Sequence, residues 1–288
     1  MTRVGFILRP ELRDVGNLLA ELVSWLVARG DEAVVTAEDQ VAPPGARVLA
    51  EAQLAAAVDL TVVLGGDGTM LRAAGLVADH DVPVLGIHLG RLGFLTPFTT
   101  AEALPALEAA VGGNLTTSKR SRLMVAHTPA SGTAERRTAL NDAVVHQGAM
   151  ARLIELEARL DGELITRYRA DGLIIATPTG STAYNLAAGG PIISPAQSIK
   201  VITPICAHAL TNNRPLVVRK EARITVSLAG DSRGVVLNVD GQWARPFLPG
   251  DRVDITHHAK PLLLFDSGKP YFDILREKFH WGWGAPDR

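Results

Sequence analysis

A single cysteine, Cys206, is the only thiol in 288 residues, so no intramolecular disulfide can form, and a reducing, cytoplasmic setting is expected. Cys206 sits in the apolar run 201–209 and reads as a buried small hydrophobe. No run reaches the ~18 apolar residues that a membrane span requires. The apolar part of the N-terminus, residues 4–8, is too short for a signal peptide and passes straight into a strand pattern. Neither sign of charge dominates. A net charge of −1 gives no reason to expect nucleic acid or an anionic membrane as a partner. There is no internal repeat, no low-complexity segment and no His/Cys cluster with zinc spacing. His257 and His258 are adjacent, point to opposite faces of a strand and cannot readily chelate together. The length allows two domains, and 47% hydrophobic residues suit a globular core.

What is present centres on residues 60–71. An apolar β-branched run, Leu60 to Leu64, reads as a buried strand and stops at Gly65, Gly66, Asp67 and Gly68. Thr69 is placed as an N-cap, with a helix from Met70 to Val77. Glycines between a strand and a helix let backbone N–H groups approach an anion, and the helix N-terminus favours negative charge. A carboxylate in such a cradle repels phosphate, so Asp67 needs another task. It could be a general base, a partner for a phosphate-bound metal ion, or a turn aspartate supporting its own backbone. The neighbouring glycines and the buried strand favour a functional task over the turn reading.

The first 116 residues alternate strands and helices. Val4 to Leu8 and Ala33 to Val35 read as strands. Val15, Leu18, Leu19, Leu22, Val23 and Leu26 mark one face of a helix that Gly30 ends. Residues 39–50, with Pro43-Pro44-Gly45, read as loop. Val82 to Ile87 is another strand, before a second glycine-rich turn through Gly90, Arg91, Leu92 and Gly93. Thr99 and Glu102 have capping-box spacing for a helix to Val111. This alternation predicts an α/β domain with a Rossmann-like parallel sheet, whose ligands bind at the carboxyl ends of strands.

After Gly112-Gly113 the period changes. Strands are expected at 122–127, 139–146, 152–160, 164–169, 224–228, 235–239, 253–256 and 262–265, with Asp161-Gly162 as a hairpin turn. The expectation for 117–269 is a mostly antiparallel β-sandwich. Residues 271–279 read as a helix, and the tail 270–288 is expected to dock back on domain 1–116. Trp281 and Trp283 read as packing groups.

A second informative stretch runs from Arg169 to Pro191. A short buried strand, Leu173 to Ala176, leads into the hydroxyl-rich turn Thr177-Pro178-Thr179-Gly180-Ser181-Thr182 and a short helix from Ala183. Such a turn suits a ribose or a phosphate, or simply makes its own capping bonds. Tyr184 offers a ring for stacking and a hydroxyl. Arg169 and Asp171 share a strand face and either pair with each other or bracket a polar ligand.

Taken in order, Gly65-Gly66-Asp67-Gly68-Thr69, Leu92-Gly93-Phe94-Leu95, Leu140-Asn141-Asp142, Asp171-Gly172-Leu173, the Thr177 to Tyr184 run and Asp240-Gly241-Gln242 resemble the NAD kinases across nearly the whole chain. The first motif also occurs in diacylglycerol kinases, sphingoid-base kinases and phosphofructokinases. The Thr177 to Tyr184 run after Asn141-Asp142 is far more specific. The resemblance implies phosphorylation of the 2′-hydroxyl of the adenosine ribose of NAD to give NADP. The donor would be ATP, another nucleoside triphosphate or polyphosphate, with Mg²⁺ or another divalent cation. It implies a homodimer or homotetramer, with Asp67 as base and Gly65, Gly66, Gly68 and Thr69 as the phosphate-donor loop. NAD contacts would come from Asp67, Gly68, Asn141, Asp142 and Asp171, with Asp171 on the nicotinamide side. Thr182, Ala183, Tyr184, Asn185, Leu186 and Ala187 would line the adenine and ribose. Arg72, Arg152, Arg169 and Gln242 match further contact positions.

Two residues depart from the family pattern. Asp142 replaces the more usual Glu, and His88 stands where Asn is usual; His88 reads as a satisfied structural histidine. A lipid kinase of the wider Gly-Gly-Asp-Gly group would need an apolar acceptor site, whereas the 177–184 cluster is polar. A non-catalytic dinucleotide sensor would be expected to have lost Asp67.

Overall fold

The periodicity of the first third builds a parallel sheet. The computed structural model describes residues 1–9, 15–148, 153–208, 213–230 and 232–281. The elements begin β1 (Arg3–Leu8), α1 (Val15–Ala28), β2 (Glu32–Thr36), β3 (Ala46–Leu49), α2 (Glu51–Ala57) and β4 (Leu60–Leu64). Next come α3 (Asp67–Leu76), β5 (Val84–Ile87), α4 (Ala103–Val111) and β6 (Thr117–Arg120). The β-rich half holds β7 (Leu123–Thr128), β8 (Glu135–Ala139), β9 (Asp142–Gln147), β10 (Ile154–Leu160), β11 (Glu163–Ala170) and β12 (Gly172–Ala176). A short helix, α5 (Tyr184–Ala187), precedes β13 (Ile199–Ile205), β14 (Leu216–Arg219), β15 (Ile224–Leu228) and β16 (Val235–Val239). The chain closes with β17 (Trp243–Pro246), β18 (Arg252–His257), β19 (Leu262–Phe265) and α6 (Tyr271–Phe279). Two compact units result: residues 1–119 with 262–288, and residues 120–261.

In the first unit the sheet order is β3-β2-β1-β4-β5-β19-β6, and β1 pairs parallel with both β2 and β4. Val15, Leu19, Leu22, Val23 and Leu26 form the buried stripe of α1, and Gly30 follows it at φ 78°, a left-handed stop that a side chain resists. Thr99 and Glu102 make both reciprocal capping bonds, 2.7 and 3.2 Å, ahead of α4. Helix α6 belongs to this unit, with Ile274 and Leu275 buried.

Three local expectations change here. Residues 39–50 are not all loop, because β3 adds to the sheet edge beside β2. The helix after β4 starts at Asp67 with Gly66 as its N-cap, so Thr69 lies in its first turn. Gly66 makes the extended corner, and the Asp67 side chain turns away to bond another loop. Strand β19 does not complete the antiparallel set: Leu264 pairs parallel with Val84 of β5. Four apolar residues carry no signal for which sheet they join.

In the second unit two six-stranded antiparallel sheets, β11-β10-β15-β18-β7-β8 and β14-β13-β12-β9-β16-β17, share one core. Ile154, Leu156 and Ala158 of β10 face it, as do Ala143 and Val145 of β9. Asp161 and Gly162 turn β10 into β11 with φ of 51° and 92°, the signature of the type I′ hairpin. The stretch 139–146 is two strands, not one. Residues 140–141 leave the ladder because their N–H groups bond the Asp240 carboxylate. Cys206 is exposed rather than buried, with φ 46° just past β13. Trp281 is 46% exposed and stacks on Phe279, while Trp283 lies outside the described residues. No helix among the described residues is long and apolar enough to cross a membrane.

Lys200 is 2% exposed on β13, and its ammonium donates to the Ala222 carbonyl. Burial pulls its pKa from 10.5 down to about 8. Between those values the unfolded chain holds more protons than the folded one, so this group makes stability rise with pH across that window. Relative to the parent, Lys200→Met is therefore expected to be more stable at pH 7 than at pH 10.5, by on the order of 2–3 kcal/mol. Denaturant titrations at the two pH values measure this difference, and equal differences would refute it.

Candidate functional site

The first site grows from the carboxyl ends of the parallel strands. Strands β1 and β4 are neighbours whose following helices cross in opposite directions along the sheet order, so a crevice opens where they end. The Gly65 N–H donates to the Ile87 carbonyl at 3.0 Å, which seats the glycine turn beside the end of β5. Asp67, Gly68 and Thr69 are the first residues of α3, and their N–H groups have no intrahelical acceptor, which suits an anion.

Asp67 does not bond its own helix. Its two carboxylate oxygens accept the N–H groups of Phe94 and Leu95, each at 3.0 Å. The loops after β4 and β5 are joined through this one side chain. Gly93 makes room for it: a Cβ there would lie 2.1 Å from Asp67 Oδ1 and 2.3 Å from Thr96 Oγ1. Each carboxylate oxygen has two acceptor positions, so each keeps one for a further donor. His88 turns its Nδ1 to the Gly90 carbonyl at 2.7 Å within the same loop.

Arg72, on α3, is already engaged. Its guanidinium bonds Asp39 at 2.7 Å, Glu51, and the Leu8 carbonyl at 3.3 Å, tying α3 to the end of β1 and to α2.

The second site lies on the outer face of the β9 sheet. Alternation along β9 sends Ala143 and Val145 into the sandwich and turns Asp142, Val144 and His146 outward. On β16, Val239 points in while Asn238 faces out. Together with Asn141, Ala183, Tyr184, Asp240 and Gly241, the outward residues line a pocket of about 270 Å³.

Asp240 organises this pocket. It is 9% exposed, and its carboxylate accepts the N–H groups of Leu140, Asn141 and Asp142 at 2.6, 2.8 and 2.9 Å. Burial raises its pKa to about 6 against those three bonds. Asp142 is 6% exposed, and burial followed by the Asp240 charge raises it to about 7. Thr177 Oγ1 donates to the Leu140 carbonyl at 2.6 Å, and a Cβ on Gly180 would lie 2.1 Å from the Asn141 carbonyl oxygen. The hydroxyl-rich turn therefore packs on the Asn141-Asp142 corner, and much of its hydrogen bonding is internal.

The other expected residues fall into three groups. Tyr184, 46% exposed, holds its ring at the pocket. Its phenol pKa is raised by partial burial, then by Cys206, Asp142 and Asp171. Asn185 is fully buried and structural: it donates to the Ser181 and Pro191 carbonyls at 3.0 and 3.1 Å and accepts from Thr203 at 2.6 Å. Thr182 donates to the Thr179 carbonyl at 3.3 Å, Leu186 is half-buried, and Ala187 and Gln242 are exposed. Arg169 pairs with Glu155 at 3.3 Å, and Asp171 is exposed at the head of β12. Arg152 lies outside the described residues.

Sequence reading singled out neither the Asp240 clamp nor the service Gly93 renders Asp67. The available signals were the Asp240-Gly241 dipeptide, with φ of 53° and 67°, and a glycine amid apolar residues at 93.

A Rossmann-like sheet with a clamped carboxylate in its glycine turn, and a β-sandwich with an acidic polar pocket, define a two-unit nucleotide-binding protein. Residues 4–115 match the family model described as the ATP-NAD kinase N-terminal domain, and residues 140–266 match that of the ATP-NAD kinase C-terminal domain. The NAD kinase of Geotalea daltonii is 45% identical over 92% of this chain and 94% of its own length. That of Syntrophotalea carbinolica is 40% identical over 98% and 99%. The crystal structure of yeast NADH kinase complexed with NADH superposes with a TM-score of 0.90 at 25% identity, covering 99% of this chain and 89% of that one. An NAD kinase from Archaeoglobus fulgidus, solved with ATP, shares the fold at a TM-score of 0.76 and 24% identity, covering 96% and 98%. The chain belongs to the NAD kinase family.

Proposed function

We propose that this chain transfers the terminal phosphoryl group of ATP to the 2′-hydroxyl of the adenosine ribose of NAD, with Asp67 as general base. The supporting observation is the Asp67 carboxylate, fixed by two backbone N–H groups and keeping acceptor positions free. Asp67 takes the hydroxyl proton as the new O–P bond forms and the bond to the ADP oxygen breaks. The free N–H groups at the start of α3 receive donor phosphate oxygens. NAD is held through Asn141, Asp142 and Tyr184, with Asp171, Arg169, Gln242 and the 182–187 segment as further contacts. Asn185 serves by shaping that segment, and Arg72 by anchoring α3.

Among the described residues no group of three or more His, Cys, Asp or Glu could enclose a metal ion. The residues present fit a magnesium ion held mostly by phosphate oxygens and water, which leaves Asp67 to act as base. Such an ion would neutralise charge on the donor phosphates. We further propose that the protein is cytoplasmic and assembles as a homodimer or homotetramer; sedimentation measures the assembly, and cell fractionation the location.

The direct test incubates purified protein with NAD, ATP and Mg²⁺ and reads NADP with an NADP-specific dehydrogenase. Parallel tubes substitute NADH for NAD, with product identified by chromatography, or polyphosphate for ATP. Folded protein that binds NAD and forms no phosphorylated product from any donor would refute the proposal. Tyr184→Ala is expected to weaken NAD binding by about 1–3 kcal/mol, the worth of a base stacked on an aromatic ring. An unchanged dissociation constant by calorimetry would reduce Tyr184 to a packing residue.

A further inference from the structure

Two carboxyl groups face one small pocket, and their surroundings differ. Asp240 accepts three backbone N–H groups, an arrangement that stabilises its ionised form. The Asp142 side chain accepts no hydrogen bond among the described residues, although it is 94% buried from its 6% exposure. No Lys or Arg is among the described residues that line the pocket. Among the described residues that line the pocket, the charged or titratable groups with Asp142 are Asp240 at the end of β16, His146 two alternations along β9, and Tyr184 on α5; Asp171 and Cys206 act electrostatically on Tyr184. A second negative charge beside Asp240 has little solvent and, among the described residues that line the pocket, no cation to stabilise it, so one proton belongs to the pair.

We propose that the empty pocket holds this proton on Asp142 and that NAD expels it on binding, which couples substrate affinity to pH. The inference rests on the reading of the chain as an NAD-binding enzyme.

The physical cause is a change in what Asp142 touches. The ionised Asp240 disfavours phosphate oxygens, so the part of NAD expected to enter carries hydrogen-bond donors or positive charge: ribose hydroxyls, the adenine amino group, or the nicotinamide ring with its amide. Any of these favours an ionised Asp142 over a neutral one. The proton leaves to solvent, and no bond to carbon or phosphorus changes. No group of NAD itself titrates near neutral pH. With Asp142 at about 7 in the empty pocket, binding at pH 7 should release about half a proton. The dissociation constant should fall up to about tenfold from pH 6 to pH 8.

The test is calorimetry of NAD binding to the full chain at pH 7 in buffers of different ionisation enthalpy. Enthalpies that vary with the buffer in the sense of proton release support the proposal. Buffer-independent enthalpies, or proton uptake, overturn it while leaving the NAD-kinase reading standing. No NAD binding at all overturns both. Asp142→Asn should bind NAD without releasing a proton, and full release by that variant would overturn the assignment. His146→Gln removes the imidazole from the pocket and leaves only the carboxyl pair, whose Asp240 is held ionised by three N–H groups, so it tests the assignment if Asp142→Asn does not fold or bind. Release retained in His146→Gln supports Asp142, and release lost there overturns it.

Discussion

Asp67→Asn is expected to bind NAD with near-parent affinity and to turn it over at least ~100-fold more slowly, the low end for a missing general base. The amide keeps the shape of the carboxylate. It also keeps one oxygen for the Phe94 or Leu95 N–H, and it turns an NH₂ group toward the other. The structural loss is thus one backbone hydrogen bond, about 1–3 kcal/mol because the acceptor was charged. The chemical loss is larger, since an amide cannot take a proton from an alcohol. NAD-binding calorimetry and single-turnover NADP formation separate the two. A single-turnover rate within a few-fold of the parent would remove Asp67 from the role of base.

The second large effect is expected at a residue with no chemistry. Gly93→Ala places a methyl where Asp67 Oδ1 and Thr96 Oγ1 now lie, at 2.1 and 2.3 Å. The carboxylate must leave its two N–H donors, or the 93–96 loop must retreat. A misplacement of about 1 Å at a reacting group costs about 10²-fold in rate. Turnover should therefore fall on the order of 100-fold, while NAD binding through the second unit stays within a few-fold of the parent. Activity near that of the parent would mean that the observed Asp67 rotamer is not the working one. The double variant Asp67→Asn/Gly93→Ala should be scarcely slower than Asp67→Asn alone, because both changes strike the same carboxylate. Fully multiplicative losses would place the two residues in separate tasks.

Much of the architecture was legible from local pattern. Four apolar residues and a threonine, between a polar flank and a glycine cluster, made β4. The i, i+3, i+4 spacing from Val15 to Leu26 made α1, Asp161-Gly162 made a hairpin, and Thr99 with Glu102 made a capping box. Each of these is decided within about a dozen residues, the range over which backbone conformation and side-chain facing are set. The corrections share the opposite property. Strand β19 has the same short apolar composition whether it joins a parallel or an antiparallel sheet. Cys206 sits in an apolar run whose strand ends one residue before it. The stretch 139–146 has strand composition throughout, yet breaks at 140–141 to satisfy a carboxylate 100 residues away.

The site divides along the same line. By itself the sequence determined which residue types stand at each turn: an aspartate among glycines after β4, hydroxyls after β12, a tyrosine opening α5, and motifs in the order the NAD kinases use. Only the tertiary structure decided what those residues touch. It sets Asp67 against the amides of the β5 loop through the missing side chain of Gly93. It commits Arg72 to Asp39 and Glu51, and Asn185 to the protein interior. It leaves the Asp142 carboxyl buried beside Asp240 without a hydrogen-bond donor among the described residues. Residue type and spacing are local quantities, but hydrogen-bond partnership and burial are set by segments far apart in the chain. The chemistry of a carboxylate depends on partnership and burial, and these exist only once the chain has folded.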